Sequence, residues 1–284
     1  IDPTEVHAIE DIPFLPISLF KRFDIQTGEW IPDRLFTSSG TTAQTTSRHL
    51  LKDPNAYCKG AALIFEQFYG PLSKYCFLAL LPAYLERQGS SLVFMADHFI
   101  QSSNYDLSGF FLNNTDQLLA HLEQCRDQNI PTILLGVTFA LLDLAEQFAP
   151  NLKHCIIMET GGMKGRRKEM IRKEVHQVLC NAFQVDSIHS EYGMTELFSQ
   201  AYSKGEGIFW PGTTMKLIAR DVTDPFHLLP PKRSGALNII DLANIDTCSF
   251  IATDDIGRCY ANGSFEVLGR LDNSDRRGCN LLVF

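Results

Sequence analysis

The stretch "PTILLGVTFALLDLAEQFAPNLKHCIIMET", Pro131 to Thr160, decides the fold class. "PTILLGV" is an unbroken apolar run of strand length. "TFALLDLAEQF" places its apolar residues at helical spacing, and "LKHCIIMET" returns to a strand-like run. Strand, helix and strand in close succession is the pattern of parallel strands joined by a helical crossover, because parallel neighbours need a long connection. The chain is therefore expected to be an α/β protein with helices packed on a mostly parallel sheet.

The same texture extends on both sides. Asp53 to Tyr69 reads as a helix with an apolar stripe of Ala56, Ala61, Ile64, Phe65 and Phe68, and Pro54 is tolerated in its first turn. "KYCFLALLP" reads as a buried strand and "SSLVFMA" as another. "TDQLLAHLEQCRDQN" has helical spacing opened by a Thr or Asp cap. After Gly161 and Gly162, "KGRRKEMIRKEVHQVLCNAF" predicts an amphipathic helix with Met170, Ile171, Val175, Val178 and Leu179 on one side. The opening "EDIPFLPISLFKRFDI" suits an extended lead packed on the body. Beyond Trp210 come shorter runs, "TTMKLIA", "GALNIIDL", "SFIAT" and "SFEVLGR", as in an antiparallel or mixed β region. Residues 1–209 are thus expected to form an α/β body, and 210–284 a smaller β-rich subdomain with the C-terminal tail of the same unit.

Composition narrows the classes. With 284 residues, 45% of them hydrophobic, the chain can bury a large core. No segment has the unbroken apolar length of a membrane-spanning helix. A net charge of −8 disfavours a nucleic-acid-holding protein, which usually carries a basic footprint. The eight cysteines include no C-x-x-C pair and the histidines no H-E-x-x-H, so neither zinc nor a disulfide framework is indicated. Reduced, mostly buried thiols in a cytoplasmic protein are expected. The chain opens at "IDPTEV" without an initiator methionine, as a processed or incomplete product would.

The chemistry-bearing stretches follow in order. "TSSGTT", Thr37 to Thr42, is either a solvated hydroxyl-rich turn or a phosphate cradle in which amides around Gly40 and neighbouring hydroxyls wrap a nucleotide's phosphates. A Walker-type loop is excluded, because no lysine follows Gly40. In "YGMTE", Tyr192 can flank a base, Thr195 can donate to a phosphate, and Glu196 can hold Mg²⁺ as a hard oxygen ligand; a strand end followed by a capped helix start reads equally well. Gly161-Gly162 after a buried strand lets a flat base lie against bare backbone. In "TDDIG", Asp254 or Asp255 can accept both hydroxyls of a ribose, although the stretch also reads as a hairpin turn. Arg270 in "GRLD" can neutralise phosphate charge.

As an ordered set these motifs, spanning Thr37 to Asp272, resemble the adenylate-forming ligase superfamily, whose members activate a carboxylate with ATP to an acyl-adenylate. "IPFLPISLFK", "FTSSGTT" followed by "SRH", and the final "RRGCNLLVF" are most similar to LuxE-type long-chain acyl-protein synthetases. The middle of the chain also resembles the aryl-acid CoA ligases related to phenylacetate-CoA ligase. The resemblance implies the large-domain fold of that superfamily, with ATP and Mg²⁺ as cofactors. It assigns Thr37, Ser38, Ser39, Gly40, Thr41 and Thr42 to the triphosphate, and Gly161, Gly162, Tyr192 and Gly193 to the adenine. Thr195 falls near the α-phosphate, Glu196 on Mg²⁺, Asp255 on the ribose, Arg270 on ribose or phosphate, and Asp272 at the hinge position.

It further implies a long-chain fatty acid substrate, an acyl-CoA reductase or acyltransferase partner protein, and Cys279 as the thiol that receives the acyl group. Arg276 and Arg277 beside Cys279 would favour its thiolate. The chain departs from the pattern in two ways. The loop lacks the family's lysine, leaving Arg48 as its nearest cation; in place of the adenylation lysine of the family's C-terminal domain, Lys164, Arg48 and Arg277 are the candidate cations. With the sequence stopping at Phe284, the C-terminal domain that carries the adenylation lysine in full-length members is expected to be lacking. An acyl- or aryl-CoA ligase and a non-catalytic nucleotide- or acyl-binding scaffold are the alternatives. Segments such as "SSLVFMADHF" and "LLGVTFALLDL" fit either an acyl tunnel or plain core packing.

Overall fold

The computed structural model describes residues 3–38, 46–81, 89–161 and 170–271. It begins with β1 (Leu15–Pro16), the hairpin strands β2 (Arg34–Thr37) and β3 (Arg48–Leu51), and α1 (Pro54–Tyr69). Then come β4 (Cys76–Leu80), α2 (Ser91–Gln101), β5 (Gly109–Phe110), α3 (Thr115–Asp127), β6 (Thr132–Gly136), α4 (Thr138–Gln147), β7 (Cys155–Glu159), α5 (Arg172–Phe183) and β8 (His189–Tyr192). The remainder is all strand: β9 (Ala201–Ser203), β10 (Ile208–Pro211), β11 (Met215–Arg220), β12 (Ser234–Asp241), β13 (Phe250–Cys259) and β14 (Phe265–Arg270).

One sheet runs in the order β11-β12-β13-β14-β10-β9-β8-β7-β6-β4-β5, with β1 pairing β13 as its twelfth strand. From β5 through β4, β6 and β7 to β8 every neighbour is parallel. Each of these links carries a helix, and β4 and β6 are buried along their whole length, as parallel strands covered on both faces must be. The sheet is therefore only half parallel. From β8 onward neighbours along this order are antiparallel, because hairpin connections such as Lys204 to Gly207 are too short to cross over, and β1 alone pairs there in parallel, with β13. The division expected at Trp210 falls inside β10.

Several local expectations change. "SSLVFMA" is the start of helix α2: Ser90 accepts the Val93 amide at 3.4 Å as a cap, and Val93, Ala96 and Phe99 bury one helical face. A short apolar run does not separate strand from buried helix; here the run continues to helix length. Helix α3 is capped by Asn114, which accepts from Gln117 N, instead of by Thr115 or Asp116. Among the described residues α5 begins only at Arg172. Val175, Leu179 and Phe183 form its buried face, whereas Ile171 is exposed. "TDDIG" is no hairpin turn, since β13 runs through it, and no helix follows "YGMTE". The lead is less extended than expected, with 3₁₀ turns at Ile9–Asp11 and Ile17–Lys21 around β1.

Other readings hold. Asp53 caps α1 by accepting from Asn55 N (2.9 Å) and Ala56 N (3.1 Å), with Pro54 in the first turn; such a cap contributes about 1 kcal/mol. The apolar segments proposed for either a tunnel or core packing supply Met95, Ala96, Phe99, Leu134, Leu135 and Leu141 to the main core. A second core gathers Tyr192, Leu197, Phe209 and Phe265 with Ile17 and Phe20 of the lead. β8 lies where the sheet changes from parallel to antiparallel, and the chain leaving its C-terminal end sits between the two cores. Ends of parallel strands beside such a change are where α/β sheets present their ligand crevices.

Candidate active site

The hydroxyl-rich loop hangs from the β2–β3 hairpin. Its stem is closed by Ser38, whose N–H donates to the Ser47 carbonyl at 3.2 Å and whose Oγ accepts the Ser47 N–H at 2.8 Å. Thr37 donates its N–H to the Gly89 carbonyl at 2.7 Å, and a Cβ at Gly89 would collide with Thr37 Oγ1. Ser39, Gly40, Thr41 and Thr42 lie outside the described residues, as do Gly162, Lys164, Asp272, Arg277 and Cys279. Arg48 pairs with Asp24 at 3.0 Å on the surface.

His49, one residue into β3, ties this hairpin to the end of β8. It is fully buried and stacks on Phe198 with centroids 4.3 Å apart. Its Nδ1 donates to the Thr195 carbonyl (2.7 Å), and its Nε2 faces Thr247 Oγ1 (2.9 Å) and Asn244 Oδ1 (3.0 Å). Burial lowers its pKa to about 4 despite those bonds, so the ring is neutral at pH 7. Asn244 donates in turn to the Glu196 carbonyl at 2.9 Å. Asp241, at the end of β12, accepts from Phe198 N (2.7 Å), Ser199 N (3.1 Å) and Ser199 Oγ (2.6 Å). The irregular segment Met194 to Gln200 is thereby held from both sides.

Within that frame the Glu196 carboxyl sits beside Ser47 at the hairpin stem. Burial raises its pKa, opposed by the Ser47 hydrogen bond and the charges of Arg270 and Lys21. Among the described residues no three His, Cys, Asp or Glu converge on a resident metal cage. One carboxylate beside hydroxyls is instead the donor set of a Mg²⁺ that arrives with phosphate oxygens and keeps its waters. Asp255 and Arg270 are register partners across β13 and β14, with Arg270 Nε 3.7 Å from Asp255 Oδ1. Tyr192 donates its hydroxyl to Asp255 Oδ2 at 2.9 Å, and its ring packs against Phe209 and Phe265 in the second core. Gly161 adopts φ +74°, a conformation suited to glycine, and a Cβ there would meet nothing within 4 Å.

Two buried carboxyls that motif reading missed stand on adjacent strands. Glu159, the last residue of β7, accepts from Thr138 Oγ1 at 2.5 Å and Gly161 N at 2.8 Å through Oε1. Its Oε2 accepts from Ser190 Oγ at 3.3 Å and lies 3.8 Å from His176 Nε2. Burial alone would raise its pKa, but bonds to His176 and Thr138 and the charge of Arg172 hold it below the ordinary range. Glu191 on β8 has no described hydrogen-bond partner for its carboxyl, and burial plus the Glu159 charge push it up to about 8. Only the alternation of side chains along β8, which sends Glu191 to the face opposite Tyr192, could have signalled this from sequence.

No family model matches the sequence, and no curated protein matches it. Solved structures do match the fold. ATP-bound MatB from Rhodopseudomonas palustris aligns with a TM-score of 0.59 at 14% identity, covering 83% of this chain and 47% of that one. O-succinylbenzoate coenzyme A synthetase (MenE) from Bacillus subtilis, in complex with ATP and magnesium ion, aligns at 0.56 and 17% identity, covering 83% and 49%. A mutant form of coronafacic acid ligase from Pectobacterium brasiliense aligns at 0.52 and 18% identity, covering 78% and 44%. The fold is that of the adenylate-forming ligases. The chain spans about half the length of these structures. Among the described residues no helix is long and apolar enough to cross a membrane.

Proposed function

We propose that this chain activates a carboxylic acid with ATP to an acyl-adenylate and passes the acyl group to a thiol. The observation that carries the reading is the convergence of Glu196 on the stem of the hydroxyl-rich hairpin, beside Thr195 and within the field of Arg270, at the C-terminal ends of the parallel strands in this fold. A carboxylate oxygen attacks the α-phosphorus, a P–O bond forms, the bond to the β-phosphate oxygen breaks, and pyrophosphate leaves. All reactants are anionic, so the work of the protein is positioning and charge neutralisation.

In this reading Thr37, Ser38 and the loop they open, Ser39 to Thr42, hold the phosphates. Gly161, Gly162, Tyr192 and Gly193 border the base, Thr195 meets the α-phosphate, and Asp255 takes the ribose once its bond to Tyr192 opens to the ligand. Glu196 holds Mg²⁺, which when bound offsets phosphate charge. Lys21 joins Arg270 as a cation close enough to influence Glu196, whereas Arg48, the loop's nearest cation in sequence, pairs with Asp24. The LuxE-type resemblance extends the proposal to a long-chain acyl group and to Cys279 as acceptor: the thiolate attacks the acyl carbon, the C–O bond to AMP breaks, and the thiol proton passes to solvent.

ATP–pyrophosphate exchange with a panel of carboxylic acids tests the first half-reaction. Exchange is expected with at least one acid, and Glu196→Gln is expected to lower it about 10²-fold without changing the unfolding midpoint. Hydroxylamine-labile labelling that disappears in Cys279→Ser while exchange persists supports the protein acceptor. CoA-dependent AMP release without protein label would replace that acceptor by CoA.

A further inference from the structure

Ser47 and His49 are buried on either side of exposed Arg48, so strand alternation turns both toward the segment Met194 to Gln200. Ser47 meets the Glu196 side chain, whereas His49 meets main chain. The Thr195 carbonyl can only accept, so the proton of the neutral ring is on Nδ1 and donates to it at 2.7 Å. Nε2 is then an acceptor, and the donor that faces it is the Thr247 hydroxyl, 2.9 Å away. Thr247 shares that proton with Asn244 Oδ1. This fixes the Asn244 amide with Nδ2 toward the Glu196 carbonyl, to which it donates at 2.9 Å. The ring therefore reaches two successive peptide units of the site: Thr195 directly through Nδ1, and Glu196 through Nε2, Thr247 and Asn244.

Core packing accounts for the stack on Phe198 and the edge contact with Phe20, which a phenylalanine would make as well. It does not account for two ring nitrogens linked to consecutive residues of one irregular segment. Nor does His49 hold the turn Asn244 to Thr247 by itself. Thr27 donates its N–H to the Asp246 carbonyl at 2.8 Å and its Oγ1 to the Ile245 carbonyl at 2.9 Å, and Lys52 pairs with Asp246 at 2.9 Å. The turn is a fixed post, and His49 transmits its position to the residues assigned to the phosphate and the metal.

We propose that His49 is a positioning residue whose two nitrogens serve different parts of the reaction: Nδ1 sets Thr195 against the α-phosphate, and Nε2, through Thr247 and Asn244, sets the Glu196 carboxylate for Mg²⁺. The inference rests on the acyl-adenylate reading above and deepens it. Sites whose ligand groups lose such an outer partner typically lose roughly 10–100-fold in metal affinity or activity.

Two substitutions separate the nitrogens. His49→Asn keeps a donor at the δ position and nothing at ε, whereas His49→Gln keeps an acceptor at ε and nothing polar at δ. Calorimetric ATP binding, with Mg²⁺ and with EDTA, and pyrophosphate exchange at saturating ATP and Mg²⁺ read the two branches. His49→Asn is expected to lose about tenfold of the Mg²⁺-dependent gain in ATP affinity, to bind ATP in EDTA within about threefold of the unsubstituted chain, and to keep most of kcat at high Mg²⁺. His49→Gln is expected to keep that gain and to lose about tenfold or more in kcat. Thr247→Val, which removes only the hydroxyl, should reproduce the His49→Asn pattern and replaces it if the ring variants fail to fold. A merely structural role would move both measurements together in both variants, following the unfolding midpoint. That result, or no change in either measurement, overturns the inference and leaves adenylation standing. No exchange with any acid and no Mg²⁺-dependent ATP binding by the unsubstituted chain overturns the adenylation reading itself, and the inference with it.

Discussion

The ends of β7 and β8 lie side by side in the sheet and each carries a buried carboxyl, yet they differ in almost every respect that matters. Glu159 is 5% exposed and Glu191 9%, so desolvation acts on both. Glu159 is met by Thr138, the Gly161 amide, Ser190 and His176, and is held ionised; Glu191, whose carboxyl no described residue hydrogen-bonds, lies against the Gly193 backbone and keeps its proton. Burial alone does not set the charge of a carboxyl; the donors around it do. The ionised member is a structural anchor for the turn into Gly161. Its neutral neighbour anchors nothing among the described residues. Environments that drive neighbouring carboxyls apart in this way are a mark of working sites.

The most forceful way to break the contrast is to remove each carboxyl in turn. Glu159→Leu leaves the Gly161 amide and the Thr138 and Ser190 hydroxyls buried without their acceptor, and is expected to cost about 4 kcal/mol in denaturant unfolding at pH 6. Glu191→Leu removes a carboxyl that no described residue hydrogen-bonds and is expected to be neutral or stabilising at the same pH. Equal costs for the two variants would mean that Glu191 is anchored after all.

A pH series sharpens the same contrast with a smaller effect. The Glu191 carboxyl titrates near 8 in the folded chain against an ordinary 4.5, so between those values the native state binds a proton that the unfolded state does not. Stability must therefore fall as pH rises through that window and level off above it. Other titrations are removed by comparison with Glu191→Gln. Relative to that variant, the native chain is expected to lose on the order of 3 kcal/mol between pH 6 and 8, at about 1.4 kcal/mol per pH unit. A flat difference would place Glu191 among the ionised carboxyls.

Much of the architecture was legible because it rests on periodicity and short connections. "PTILLGV", "TFALLDLAEQF" and "LKHCIIMET" became β6, α4 and β7, and the four late runs became β11 to β14. Helix α2 was misread because seven apolar-rich residues have no period long enough to separate strand from helix. Of the site, the ordered motifs were visible because each is continuous in sequence. His49, Asn244 and Asp241 were not, although they hold Thr195, Glu196 and Phe198 in place, because their partners come from strands far away in the chain. Glu191 was hidden more simply. It sits beside the conspicuous Tyr192, and what sets it apart is that no described residue hydrogen-bonds its carboxyl.

The finest probe of the contrast is Gly193. Its backbone lies outside the left-handed region that demands glycine, so alanine there is free of backbone strain, and what the new methyl would meet is Glu191 Oε1 at 2.6 Å, with Gln200 Cγ at an ordinary 3.8 Å. A carboxyl held like Glu159 could not yield, and the substitution would cost as much as overpacking a core, up to about 3 kcal/mol. The Glu191 carboxyl has no hydrogen bond to a described residue to break and lies beside an open pocket, so Gly193→Ala is expected to cost about 1 kcal/mol. In a Glu191→Ala background that cost should vanish, giving a coupling of about 1 kcal/mol in a double-mutant cycle read by chemical denaturation. A larger cost that persists without Glu191 would show that the Gly193 backbone is constrained by something other than the neighbouring acid.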